Sequence, residues 1–301
     1  MVLVIQGNDM KAAYIIFGIL LSNLACAQGD VVVNAIRMPA WIERGGERNP
    51  VTPGMELREG DVLITGTNGR LLLKSADGSD IKLGQEAQIK LSGLENNRLE
   101  TNRTEKSIFS LVLDVTKGAF RFTTSALGRL KERNVKVKIA TATLGIRGTD
   151  VWGKDDKSTA VSVVCLIEGK ISVTGADQKE FVMDQPLSFY KMPKGVAALP
   201  VASVEQEQLI KWAQETEIAN GQGAVRKGGK WKLNLMTIEG QQKLLEAYDE
   251  LRAAGYDVGI VPLEANQFRL RITNLPSKAE AEALSKQMIG MVGISAPKVT
   301  R

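Results

Sequence analysis

One stretch of sequence indicates the fold of the first half of this chain: Gly60-Asp61-Val62-Leu63-Ile64-Thr65-Gly66-Thr67-Asn68-Gly69-Arg70-Leu71-Leu72-Leu73-Lys74-Ser75-Ala76-Asp77-Gly78. Short apolar runs alternate here with turn-forming dipeptides. Asn-Gly and Asp-Gly accept positive φ at little cost, so they are the strongest short signals for a hairpin. The stretch therefore predicts β-strands joined by tight turns.

The same rhythm continues for about a hundred residues after this stretch. Ile89-Lys90-Leu91 alternates apolar and polar side chains, as a half-buried strand does. Further apolar runs recur at residues 111–115, 119–122, 135–140, 161–167 and 170–173. Such spacing is typical of an all-β sandwich or a solenoid-like sheet. We predict a β-rich domain over residues 28–195.

This domain resembles the FecR family of periplasmic domains. The resemblance is carried by residues 60–66, 77–79, 115–120 and 166–173, and above all by Leu144-Gly145-Ile146-Arg147-Gly148-Thr149. It implies a β-rich module that relays a signal from an outer-membrane receptor to a sigma-factor regulator. Signalling members carry a cytoplasmic segment and a membrane span before the domain. In this chain a signal-peptide pattern precedes the domain instead, so we expect a scaffold or partner-binding module here. Arg147 itself is interpreted as part of a turn or bulge between two strands.

The N-terminal residues 1–27 have the pattern of a signal peptide. Lys11 precedes an apolar run from Ala12 to Leu21, and Ala25-Cys26-Ala27 is a small-x-small cleavage site. We expect export to the periplasm with cleavage after Ala27. Lipidation of Cys26 is one alternative, although Asn23 stands where a lipobox normally has Leu. An uncleaved membrane anchor is another, although the apolar run is short for a membrane span.

Composition excludes several classes of site. The 301 residues contain no histidine and only Cys26 and Cys165, so histidine-based catalysis and the common zinc sites are absent. We expect no catalytic residues, no metal and no cofactor. A net charge of +5 is too small for a dedicated nucleic-acid binder. Cys165 lies in an apolar run and is expected to be buried.

Residues 196–229 are predicted to connect two domains. Ser203-Val204-Glu205-Gln206 fits a capping box, which predicts a helix from there to about Ala219. Asn220-Gly221-Gln222-Gly223 and Lys227-Gly228-Gly229-Lys230 then break the helical pattern. This glycine-rich stretch predicts a flexible linker.

Residues 230–301 have a different periodicity. Strand-like alternation at 231–238, helical spacing at 241–254, two strands at 257–262 and 267–273, a helix from Ser277 and a strand at 294–299 follow in order. Glu280 occupies the reach-back position of a capping box that begins at Ser277. The order β-α-β-β-α-β predicts an α+β, ferredoxin-like domain.

This second domain resembles a SPOR domain. The resemblance is carried by Trp231-Lys232-Leu233-Asn234-Leu235, Ala254-Gly255-Tyr256-Asp257-Val258, residues 268–272 and residues 277–284. It implies binding to peptidoglycan, namely to denuded glycan strands, which gather at the division septum. Asn234 replaces the family's usual Gln, and Thr273-Asn274-Leu275 replaces its Gly-Pro-Phe-like turn.

Alternation assigns a binding face to this sheet. Leu233, Leu235, Leu270 and Ile272 should face the helices, which leaves the opposite face open. We predict that glycan binds there through Lys232, Asn234, Met236, Arg269, Arg271 and Thr273. The sequence thus predicts an exported, non-enzymatic envelope protein that binds peptidoglycan and carries a possible envelope protein partner on its FecR-like domain. The alternative is a FecR-type periplasmic signalling component.

Overall fold

The structure is a computed structural model that describes residues 30–101, 104–126 and 133–301. The predicted signal peptide, with Ala25, Cys26 and Ala27, lies outside the described residues. Among the helices that are described, none has the length and apolar character needed to cross a membrane.

The first domain is built from strands, which confirms the β-rich prediction. Its strands are β1 (Val31–Arg37), β2 (Ala40–Arg44), β3 (Glu47–Pro50), β4 (Val62–Thr65), β5 (Arg70–Ser75), β6 (Asp80–Leu83), β7 (Gln88–Thr101), β8 (Thr104–Thr123), β9 (Arg133–Ile139), β10 (Ala142–Ile146), β11 (Asp150–Asp156), β12 (Val161–Glu168), β13 (Ile171–Thr174), β14 (Glu180–Met183), β15 (Ser188–Pro193), β16 (Ala202–Ser203) and β17 (Val225–Arg226).

Within the described residues these strands pair into two ladders that share β8. Ladder A runs β17-β1-β5-β6-β8-β11-β12-β15-β16 and uses the second half of β8. Ladder B runs β3-β2-β4-β7-β8-β9-β10-β13-β14 and uses the first half. The β8–β9 pairing is parallel.

The two turn signals in the opening stretch have different outcomes. Asp77-Gly78 joins β5 to β6, which pair with each other, so the hairpin prediction is confirmed there. Asn68-Gly69 joins β4 in ladder B to β5 in ladder A, so a hairpin is the wrong prediction at this turn. Gly69 is instead packed against the chain near Pro39: a Cβ on Gly69 would lie 2.4 Å from the Pro39 carbonyl oxygen. The dipeptide reverses the chain, but tertiary contacts choose the partner of each strand.

The hydrophobic core lies between the ladders. Inward-facing side chains of both ladders join one buried cluster, which includes Leu73, Ile81 and Phe122 from ladder A and Leu113 and Leu144 from ladder B. A smaller cluster lies on the outer face of ladder A, where Trp152 and Cys165 are buried. Cys165 is fully buried, as predicted.

Helix α1 (Gln206–Thr216) covers this outer face of ladder A. Trp212 stacks on Trp152 with ring centroids 4.7 Å apart, and Leu209 packs against the same cluster. The predicted capping box is wrong, because Ser203 belongs to β16 and the N-cap residue, Glu205, makes no side-chain capping bond. Packing of the apolar side of α1 on the sheet therefore stabilises the helix in place of a cap.

The glycine-rich connector is folded, so the prediction of a flexible linker is wrong. Ala224 and Val225 are buried, and β17 pairs with β1. The buried carboxylate of Glu280 accepts hydrogen bonds from the backbone N–H groups of Gly221 (2.7 Å), Gly223 (2.6 Å) and Ala224 (2.9 Å). Glycine serves close packing here, since a Cβ on Gly223 would lie 3.1 Å from Leu284.

The second domain follows the predicted order of elements. These are β18 (Trp231–Glu239), α2 (Gln241–Ala253), β19 (Gly259–Pro262), β20 (Gln267–Leu275), α3 (Lys278–Met288) and β21 (Lys298–Thr300), with a 3-10 turn at Met291–Gly293. The sheet order is β19-β20-β18-β21, and each neighbouring pair is antiparallel. Ser277 caps α3 by accepting a hydrogen bond from the Glu280 N–H (3.2 Å). The side chain of Glu280 does not reach back to Ser277 but binds the connector.

Candidate functional site

Three strands of the second domain present one polar face. The inward residues Leu233, Leu235, Leu270 and Ile272 are buried in the core together with Leu244 of α2 and Leu284 of α3. Alternation then directs the intervening side chains to the other side. We call this side the open face, and it comprises Lys232, Asn234, Thr237, Arg269, Arg271, Lys298 and Thr300.

The open face brings together most of the residues predicted for it. Arg271 lies opposite Asn234 in the β18–β20 pairing, and Asn234 lies opposite Lys298 on its other side. Arg269 is two residues from Arg271, which places their side chains about 7 Å apart along the strand. Asn234 donates a hydrogen bond to the Thr300 hydroxyl (3.2 Å), and the Lys232 ammonium lies 3.4 Å from the Arg301 backbone carbonyl oxygen.

Two predicted positions differ from the simple alternation. A β-bulge between Asn234 and Met236 places Met236 opposite Leu270, where it packs against the core. Thr237 takes its place opposite Arg269. Thr273 adjoins a second irregularity, at which Asn274 has φ +63°. Because a bulge inserts one residue into the period of two, it transfers the outward position from Met236 to Thr237.

Thr237, Lys298 and Thr300 are the open-face residues that the sequence pattern does not predict. Alternation alone could not reveal the bulge, and Lys298 was assigned to a longer final strand without a partner. The β18–β21 register identifies Lys298 as a neighbour of Asn234.

Positive charge predominates on the open face, although the same alternation places the Glu239 carboxylate at its edge. Lys232, Arg269, Arg271 and Lys298 are cationic, and in the part of the chain that the structure describes none of them forms an ion pair. Guanidinium, ammonium and amide groups are hydrogen-bond donors, so the face suits a ligand rich in oxygen acceptors.

The first domain has its own concave surface, on the outer side of ladder B. A groove with about 630 Å³ of accessible space crosses β9, β10, β13 and β14. Gly145 forms its floor, where a Cβ would lie 2.5 Å from the Ser172 hydroxyl oxygen. We call it the Gly145 groove, and its lining includes Lys136, Arg147, Lys170, Ser172, Glu180 and Val182. Arg147 follows β10 and is exposed, in a turn where Gly148 has φ +71°.

Candidate catalytic groups in the first domain have structural contacts instead. Asp155 and Asp156 lie in β11. Asp155 is buried against the Ser162 hydroxyl (2.8 Å) and Lys157 (2.5 Å). Burial beside Asp150 raises the pKa of the Cys165 thiol to about 12. No group of three or more potential metal ligands occurs among the residues that are described.

Comparison with known proteins identifies a family for part of the chain. Residues 61–172 match the family model described as FecR protein. This segment runs from the start of β4 into β13 and includes Gly145, Arg147 and Lys170 of the Gly145 groove. The FecR resemblance of the first domain is therefore confirmed over these residues.

The remaining comparisons are more distant. Two crystal structures of a candidate anti-sigma factor from Parabacteroides distasonis ATCC 8503, at 1.65 and 2.50 Å resolution, are similar with TM-scores of 0.38. Their sequences are 11% and 12% identical, over 75% of this chain and 91% and 89% of theirs. No curated protein matches the sequence. The comparisons give no evidence for a SPOR domain in residues 230–301.

Proposed function

We propose that this protein is a FecR-type signalling component that acts in the periplasm, with its β domain as the partner-binding module. The single observation that carries the proposal is the FecR match over residues 61–172. The proposal includes export by residues 1–27 and the absence of catalysis. The open grooves and exposed cations of the first domain suit recognition of another protein better than chemistry on a small molecule.

The Gly145 groove is the surface that we assign to the partner. Most of its lining belongs to the matched segment, whereas Glu180 and Val182 on β14 follow it. The groove carries Lys136, Arg147 and Lys170 against the single carboxylate of Glu180 in its lining. Val182 on β14 adds an exposed apolar side chain at its edge. A groove of this charge favours a partner segment that carries carboxylates, because complementary charge increases association rate and specificity.

Site-specific crosslinking in intact source cells tests this proposal. A photo-reactive residue at Val182 should give a crosslink to a receptor or a sigma-factor regulator, and the same residue at Lys90 on β7 should not. Arg147→Glu together with Lys170→Glu should abolish the Val182 crosslink and the transcriptional response. Equal crosslinking from both positions, or an unchanged response in the double variant, would contradict it.

A second candidate function is binding of denuded glycan strands by the second domain. The order β-α-β-β-α-β and the sheet order β19-β20-β18-β21 support a ferredoxin-like domain. The cationic open face is the observation that favours glycan, since its donors match the hydroxyl, acetamide and lactyl oxygens of such a strand. Septal placement would follow from this activity.

Pull-down on purified sacculi, with and without amidase treatment, tests the second candidate. Replacement of Arg269 and Arg271 by Ala in the full-length protein should weaken binding tenfold or more, because charged hydrogen bonds contribute roughly 1.5–3 kcal/mol each. Lys243→Ala with Lys286→Ala removes the same charge from the exposed helical side and is the matched control. Equal loss in both double variants would indicate nonspecific charge, and no binding by the wild type would remove the candidate.

A further inference from the structure

Two arginines in ladder A are placed directly opposite each other. Arg37 at the end of β1 is the cross-strand partner of Arg70 at the start of β5. Directly opposed residues of an antiparallel pair have Cα atoms about 5 Å apart. Like charges at such positions are destabilising unless another group offsets them.

Among the described residues, neither arginine is paired with a carboxylate. Arg37 donates from Nη1 to the Gln222 side-chain oxygen (2.7 Å), and Arg70 donates from Nη1 to the backbone carbonyl of Gly69 (2.8 Å). The Nε atoms of both are buried and have no hydrogen-bond partner in the described part of the chain. Each guanidinium has therefore lost water on its inner edge without gaining a directly paired carboxylate among the described residues.

Other partly buried arginines of the same domain are paired. Arg121 binds the Asp150 carboxylate at 2.6 Å, and Arg133 binds Asp77 at 3.0 Å. Burial, and secondarily the charge of Arg37, lower the pKa of Arg70, while Glu215 opposes that shift. Unlike Arg121 and Arg133, therefore, Arg37 and Arg70 lack a directly paired carboxylate.

A cavity next to Arg70 offers room for that counter-charge. It holds about 450 Å³ of accessible space beside Arg70, Gly118 and Lys154. The carboxylates of its lining are already engaged: Glu86 with Lys117 (3.1 Å), Asp155 with Lys157 (2.5 Å), Glu215 with Lys154 (3.1 Å) and Asp156 with Ser158 (2.6 Å). Arg70 is the lining cation without a carboxylate among the described residues.

We propose that the Arg37–Arg70 pair, with the cavity beside Arg70, is a binding site for a small doubly charged oxyanion of the phosphate class. Arg70 lines the cavity, and Arg37 contributes from its position opposite Arg70 on the neighbouring strand rather than from the cavity lining. Arginine forks match the oxygens of such an anion. Arg37 also holds Gln222 of the connector, so an anion here would strengthen the contact between ladder A and the segment that leads to the second domain. The site is separate from the Gly145 groove and from the open face.

Equilibrium unfolding of the full-length protein in urea tests this proposal. Inorganic phosphate, added at constant ionic strength against chloride, should raise the unfolding midpoint of the wild type and reach saturation. Acetate, which carries one charge, should raise it less at the same concentration. Arg70→Gln should weaken phosphate binding at least tenfold, and in chloride alone it should unfold no earlier than the wild type because the like-charge pair is removed.

Two further variants and a direct measurement complete the test. Lys90→Gln removes one charge from exposed β7 and should respond to phosphate as the wild type does. Arg37→Gln should likewise weaken phosphate binding at least tenfold, and it serves if the Arg70→Gln variant does not fold. Calorimetric titration of the wild type with phosphate must show saturable binding. A wild type that shows none, or an Arg70→Gln variant that binds as tightly, overturns the proposal.

Discussion

Burial of Cys165 determines how reactive its thiol is. The thiol is fully buried beneath α1, and burial together with the Asp150 charge raises its pKa to about 12. At pH 8 only about one thiol in ten thousand would be ionised, and the thiolate is the reactive form. We therefore expect native protein carrying Cys26→Ser to react with a thiol reagent far more slowly than the same protein in urea. Rapid, complete labelling of the native form would contradict this expectation.

Asp257 is expected to make stability depend on pH. Its backbone N–H lies 3.4 Å from the Met38 sulfur where the domains meet, and burial raises the pKa of its carboxyl to about 6, against a smaller opposing effect of Arg252. A raised carboxyl pKa means that the folded protein holds the proton more tightly than the unfolded chain. The stability contribution is therefore full below the unfolded pKa near 4 and is lost as pH rises through about 6.

The substitution Asp257→Asn keeps the neutral form at every pH. It should stabilise the protein by on the order of 2 kcal/mol at pH 8 and change it little at pH 4, measured by urea unfolding. Asp249→Asn changes an exposed carboxylate of α2 and is the control, with little effect at either pH. An Asp257→Asn effect that is the same at both pH values would show that the carboxyl does not titrate in this range.

Among the elements, the connector depends most on a single side chain. Glu280 on α3 is buried, and its carboxylate accepts hydrogen bonds from three backbone N–H groups of residues 221–224. Glu280→Gln keeps the shape but removes the charge and points an amide donor toward other donors. Since hydrogen bonds to charged groups contribute roughly 1.5–3 kcal/mol, we expect a loss of about 2–3 kcal/mol in the free energy of unfolding.

Glu282 provides the comparison for that measurement. It lies on the exposed side of the same helix and pairs with Lys278 at 3.2 Å. Glu282→Gln should cost less than about 0.5 kcal/mol, because an exposed i,i+4 pair contributes little. If the two substitutions have equal effects, the carboxylate of Glu280 does not hold the connector.

Elements whose signal is local could be predicted from the sequence. Helices α2 and α3 and strands β18 and β20 follow from periodicity, because their apolar residues face one core. The Asp77-Gly78 hairpin follows from turn chemistry alone. The capping-box pattern predicts that the Glu280 side chain bonds back to Ser277, but its carboxylate instead accepts hydrogen bonds from a segment about 57 residues earlier in the chain. Periodicity carries no information about such long-range partners.

The open face of the second domain could likewise be predicted only where its residues follow simple strand alternation. Asn234, Arg269 and Arg271 reach one face because simple alternation holds between them. Met236 does not, because a bulge is set by how two strands pair and not by the composition of one of them. The Gly145 groove and the Arg37–Arg70 pair depend on pairing between strands that are far apart in the chain, so neither could be located from sequence.

At the scale of the whole molecule, the two domains are joined by more than the connector. The Trp41 indole donates to the Ala253 carbonyl (2.9 Å), and the Ala40 N–H donates to the Gly255 carbonyl (3.2 Å). Arg252 of α2 donates to the Asn49 side chain of β3 (3.1 Å). Buried residues of both domains belong to one hydrophobic cluster. This arrangement should hold the open face and the Gly145 groove in a fixed relation to each other.

Shared packing predicts that residues 30–301 unfold as one cooperative unit. Scanning calorimetry of the wild type should give a single transition whose calorimetric and van't Hoff enthalpies agree. Gly255 is the position at which to disturb the interface: it has φ +85°, and a Cβ there would lie 2.6 Å from the Trp41 ring. Gly255→Ala should therefore separate the single transition into two, as the domains lose their contact.

Gly46 supplies a matched control for the strain in that substitution. Its φ is +87°, nearly that of Gly255, but a Cβ at this position meets nothing within 4 Å. Gly46→Ala should thus impose the left-handed backbone penalty of about 1–2 kcal/mol alone, and it should lower the midpoint while leaving one transition. The difference between the two variants isolates the contact with Trp41. Two transitions in the wild type would mean that the domains fold independently, and the binding surfaces could then move relative to each other.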